Sequence, residues 1–140
     1  MKHMRYLLCA LLMLALALPA LAADKKYAHF SVTVPEGWQI QEKDTSCGFM
    51  LPEKKLLMLV SASEDDITQE EFMDAFQTEW KVKEFTQITP NWFSFTSEKY
   101  ADRGMYVRGF IGKENKLFKY VVLSGEGPEL EALHSTLKFF

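Results

Sequence analysis

Cysteine is nearly absent: the chain holds only Cys9 and Cys47, and Cys9 lies inside the first apolar run. If that run is removed, Cys47 stands alone, so an internal disulfide framework is excluded and the fold rests on its core. Lys and Arg never occur more than two in succession, and acidic residues outnumber basic ones, 19 to 16. That balance argues against nucleic acid or an anionic membrane surface as partner. There is no His-x-x-x-His, no Cys-x-x-Cys and no Asp-x-Asp-x-Asp-Gly spacing, so neither a zinc site nor a calcium loop is expected. Phosphate-cradling glycine loops and a Gly-x-Ser-x-Gly elbow are missing too. No cofactor and no metal are expected. No linker, repeat or low-complexity stretch divides the chain.

The longest apolar run, Tyr6 to Leu18, falls short of the roughly 20 residues that span a bilayer. Lys2, His3 and Arg5 precede it, Pro19 breaks it, and Ala20-Leu21-Ala22 places small residues where signal peptidase cuts. Residues 1–22 are therefore expected to be a cleaved signal peptide. Bulky residues before Cys9 speak against a lipoprotein, and an uncleaved anchor fits less well than a cut after Ala22. The mature part, 23–140, is one domain of 118 residues carrying 14 basic against 19 acidic side chains, formally −5. A periplasmic or secreted protein with no stable membrane insertion is the expectation.

Phe30, Val32 and Val34 alternate with polar neighbours, the period-two pattern of a half-buried strand. Pro35-Glu36-Gly37 turns the chain into Trp38–Gln41, and Cys47–Leu51 suits a short strand that stops at Pro52. Leu56–Ala62 is apolar on both faces, as a central strand is. Thr68 with Glu71 forms a capping-box pattern, and Ile67 with Phe72 a hydrophobic staple. A helix over Gln69–Lys83 follows, with Phe72, Ala75, Phe76 and Trp80 on one face. Phe85–Lys99 reads as a strand pair broken at Thr89-Pro90-Asn91. Gly104–Ile111 and Leu117–Ser124 read as a hairpin turned by the loop Gly112–Lys116. In its first arm Tyr106, Arg108 and Phe110 share one face. Pro128 is placed to open a closing helix with Leu130, Leu133 and Leu137 as its seam. The expected fold is α+β: an antiparallel sheet flanked by helices, in the order β-β-β-α-β-β-β-α.

The run Phe30-Ser31-Val32-Thr33-Val34-Pro35-Glu36-Gly37-Trp38 resembles the opening strand and turn of the superfamily shared by the photosystem II protein PsbP and the Ran-binding protein Mog. Leu137-Lys138-Phe139-Phe140 is similar to its C-terminal tail. The resemblance implies a binding or assembly module and brings no catalytic residues with it. Fold likeness alone would not establish function.

Candidate chemistry is sparse. Cys47, in Thr45-Ser46-Cys47-Gly48, has no base or helix N-terminus assigned beside it. It is expected to be structural, titrating near the usual value of about 8.5. A mixed disulfide with another chain is the minority reading. Glu64-Asp65-Asp66 reads as solvated charge ahead of the helix. The aromatics Trp92, Phe93, Phe95, Tyr100, Tyr106 and Phe110 are mostly core by their density, yet such a set also suits a groove. Trp92, Tyr106 and Arg108 are the residues expected to meet a partner, Trp92 being the most exposed aromatic. The expected function is an exported, non-catalytic binding or accessory domain for a protein or a small apolar ligand. The alternative is a small exported hydrolytic or thiol-dependent enzyme that uses Cys47 or an unrecognised Ser.

Overall fold

Apolar alternation in this chain builds two sheets stacked on each other, with one helix on the far side of the larger. The computed structural model describes residues 22–140. All of the expected signal peptide but Ala22 lies outside the described residues. The smaller sheet holds β1 (Ala23–Lys26), β2 (Phe30–Val34) and β10 (Lys138–Phe139), in the order β1-β2-β10. The larger holds β3 (Gln39–Glu42), β4 (Ser46–Leu51), β5 (Leu56–Glu64), β6 (Val82–Thr89), β7 (Trp92–Ser97), β8 (Val107–Glu114) and β9 (Leu117–Ser124). Its order is β3-β4-β5-β9-β8-β7-β6, and each neighbouring pair runs antiparallel. The helices are α1 (Gln69–Trp80) and α2 (Pro128–Ser135). The α+β class holds.

The central strands β5 and β9 explain the layers. Leu57 and Leu59 face α1 and join Phe72, Phe76, Trp80, Phe118 and Tyr120 in one core. Their neighbours Leu56, Met58, Val60 and Val121 face the other way, toward the small sheet and α2. Two cores on one sheet require strands apolar on both faces, which is how Leu56–Ala62 reads. Phe30, Val32, Val34 and Trp38 are all buried in the second core, and Leu137 and Phe139 pack against it. The residues that carry the superfamily resemblance are thus packing residues.

Several expectations need correction. There are ten strands among the described residues, so the simple order of six strands and two helices does not stand. Two of the four additional strands, the short β1 and β10, have weak patterns of their own and exist because both pair with β2. Helix α1 stops at Trp80, not Lys83. Lys81 takes the left-handed conformation (φ 51°) and its N–H caps the Gln77 carbonyl, after which the chain enters β6. The hairpin loop shrinks to Asn115-Lys116, because Glu114 already pairs with Leu117 and Asn115 supplies the positive φ of 57°. No helix among the described residues is long and apolar enough to cross a membrane.

Candidate ligand-binding groove

The face of the large sheet opposite α1 is only half covered. The small sheet and α2 lie over β3, β4, β5 and β9, while β6, β7 and β8 keep that face open beside α2. Strand register places the residues of this face in rows that run from the open strands into covered β9. Thr96 faces Arg108, which faces Leu123; two residues along, Ser94, Phe110 and Val121 form the next row; then come Trp92, Gly112 and Lys119. The result is a groove along the strands, walled on one side by Leu130, Glu131 and His134 of α2.

The groove has two lobes. One, of about 450 Å³, is lined by Glu84, Thr86, Ser94, Thr96, Tyr106 and Arg108. The other, of about 360 Å³, is lined by Ile88, Trp92, Leu137 and Phe139. Phe110 and His134 border both, stacked with ring centroids 5.8 Å apart and planes 16° apart. Burial, and then the nearby Arg108 guanidinium, lower the pKa of His134, so neutral imidazole is favoured at this junction.

Arg108 sits at the polar end. Its Nη1 donates to the Gly125 carbonyl at 2.8 Å, and the guanidinium lies 5.6 Å from the Tyr106 ring centre. No carboxylate lies within ion-pair distance of it among the described residues. At the apolar end Trp92 lies across Gly112, where an added Cβ would strike the Asn91 carbonyl and come within 3.0 Å of the indole. The indole N–H donates to Glu114 Oε1 at 3.0 Å, and the Lys119 ammonium donates to Glu114 Oε2 at 3.1 Å. Those two hydrogen bonds hold the Glu114 carboxyl below its usual range. Phe139 closes over the pair, 5.3 Å from Lys119 Nζ. The buried lysine is therefore already neutralised.

The structure brings Trp92, Tyr106 and Arg108 to one groove. Tyr106 is exposed, but Trp92 is half-buried, and the most exposed apolar side chain of the groove is Ile88 at 55%. Of the aromatic set, Phe93, Phe95 and Tyr100 turn to the α1 side and belong to the core. Phe110, a member of that set on the face of Tyr106 and Arg108, does line the groove, whereas His134 and the hydroxyls of Thr86, Ser94 and Thr96 were missed. Strand alternation marks Thr96 and Ser94 as cofacial with Trp92, but only the sheet order reveals that this face is left open.

Cys47 is buried in β4, its thiol donating to the Tyr27 hydroxyl at 3.4 Å, which in turn donates to Glu42 Oε1 at 2.9 Å. Burial pushes the thiol up to about 12, against the opposing pull of the Tyr27 hydrogen bond. The expected ordinary value is thus too low. Burial also raises Tyr27. No group of three or more His, Cys, Asp or Glu able to hold a metal exists among the described residues.

No family model and no curated protein matches this sequence. A crystal structure of a protein from Bacteroides thetaiotaomicron is 17% identical and superposes with a TM-score of 0.47 over 79% of this chain and 45% of that one. The chain spans less than half the length of that protein. A likeness at that level carries no argument about function.

Proposed function

We propose that this chain is an exported, non-catalytic binding or accessory domain, and that its site is the two-lobed groove beside α2. The observation that carries the reading is the half-covered sheet face, where an apolar lobe and a polar lobe meet at Phe110 and His134. Clefts of this size, mostly apolar with a few convergent polar groups, are what small-molecule and peptide sites are made of. Export is supported by the basic start, the short apolar run and the Ala20-Leu21-Ala22 site. The likeness of Phe30–Trp38 and Leu137–Phe140 to the PsbP and Mog superfamily supports an accessory role. A thiol-dependent enzyme has no observation in its favour, since a nucleophile needs a thiolate and burial holds this thiol protonated.

The test is a groove-blocking variant. Thr86 and Ile88 are exposed on the edge strand β6, so Thr86→Trp with Ile88→Glu fills one lobe and charges the other without touching either core. The wild-type protein recovered from its native compartment is expected to carry a small molecule or partner that the folded double variant lacks. Identical co-purifying species in both would remove the groove as the binding site. Edman sequencing of the exported form is expected to begin at Ala23, and a chain still starting at Met1 in the membrane fraction would overturn export of a cleaved domain.

A further inference from the structure

The groove has a direction, and the direction restricts what fits it. Its polar lobe holds a guanidinium with no carboxylate partner, and the hydroxyls of Thr96, Ser94 and Thr86 stand in the same and the adjoining row. None of these three hydroxyls is engaged in a hydrogen bond within the described residues. Its other lobe is apolar, and Lys119, which lies beneath the Trp92 and Phe139 that line it, already holds Glu114 at 3.1 Å. An anionic group therefore finds an open partner at the Arg108 end only. The exposed carboxylates of Glu84 and Glu131 stand on the rim of that end. Like charges on the rim disfavour a dianion more than a monoanion, which favours a carboxylate over a phosphate monoester. From Arg108 to Gly112 the groove runs four residues along β8, about 14 Å at the antiparallel rise.

We infer that the groove takes a single-chain amphiphilic carboxylate of medium length, its acid group on Arg108 and its hydrocarbon chain over Phe110 toward Trp92 and Phe139. The inference rests on the groove being the site proposed above and names the class of its ligand. The Nη1 bond to Gly125 leaves the guanidinium's remaining N–H groups for the acid, and the side chain is fixed in place before the ligand arrives. Apolar area in the far lobe supplies the drive to bind, and the head group supplies the direction.

Dodecanoate, dodecanol and dodecyltrimethylammonium, each kept below its micellar or solubility limit, separate the alternatives on the wild-type protein by calorimetry, with tryptophan fluorescence as a second readout, Trp38 and Trp80 being buried away from the groove. Dodecanoate is expected to bind at least tenfold more tightly than either of the others. Arg108→Gln is expected to erase that preference while dodecanol binding stays unchanged. Because Arg108 also holds Gly125, its variant is checked by its unfolding midpoint, and Thr96→Val with Ser94→Ala is run beside it with a several-fold loss expected for dodecanoate alone. Equal binding of the acid and the alcohol overturns the head-group assignment and leaves the groove reading standing. Preference for the cation overturns it as well, placing the charge with Glu84 and Glu131. Tighter binding of an apolar tetrapeptide with a free carboxyl terminus would reassign the site to peptides. If a folded wild-type protein binds none of the three probes, the amphiphile inference fails, and the double groove variant still decides the broader reading.

Discussion

At the scale of single residues, the chemistry turns on how far each polar group is removed from water. Cys47 illustrates the effect. Unfolded, its thiol titrates near 8.5, whereas burial in β4 holds it up to about 12. The native state thus keeps a proton that the unfolded state releases between those values. The thiol's contribution to stability is whole below about pH 8.5 and drains away as pH rises toward the native value. Iodoacetamide is therefore expected to label Cys47 slowly at neutral pH in the native protein and rapidly in urea. Between pH 8 and pH 10 the wild-type unfolding midpoint is expected to fall more steeply than that of Cys47→Ser. A labelling rate that levels off below pH 7 would show a native thiolate and reopen thiol chemistry. The sequence already marks Cys47 as structural, since no base stands near it along the chain. The size of its shift was hidden, because it comes from burial in the second core, which exists only once the small sheet and α2 pack on the large sheet.

Elements are where local signals speak most clearly, and where they stop. Thr68 accepts from the Glu71 N–H at 3.1 Å, so the helix begins where its capping pattern says it should. Thr68→Ala is expected to lower stability by about 1 kcal/mol, seen as a lower urea midpoint with an unchanged slope. An unchanged midpoint would mean that the cap contributes nothing. The other end of α1 gave no such sign, because Lys81 adopts a backbone conformation usually left to glycine. Gly112 shows the opposite case, a glycine whose need is invisible until Trp92 is seen lying across it. Gly112→Ala must displace the indole and the Asn91 carbonyl together, and a cost of about 1–3 kcal/mol is expected. Its near-ultraviolet circular dichroism should change as Trp92 moves, and an unchanged spectrum would mean that the residue tolerates a side chain.

For the molecule as a whole, periodicity announced an α+β fold but not which sheet face would stay bare. Leu56–Ala62 declares two covered faces in its own pattern; Thr96 and Arg108 declare only that they share one. The groove exists because α2 and the small sheet reach across β9 and stop. β1 and β10 were unreadable for a related reason, since each owes its extended form to β2. The β2–β10 contact has a kinetic consequence. It is only two residue pairs long, Ser31 with Lys138 and Phe30 with Phe139, and it joins positions more than a hundred residues apart. A long loop must close before so few hydrogen bonds reward it, so this pairing forms late in folding and opens early in native fluctuations. Amide exchange at Phe140, which donates to His29, is expected to be orders of magnitude faster than in the β5–β9 ladder. Each such opening moves Phe139, one wall of the apolar lobe, so the far end of the groove is expected to change width at the breathing rate of a single two-residue strand.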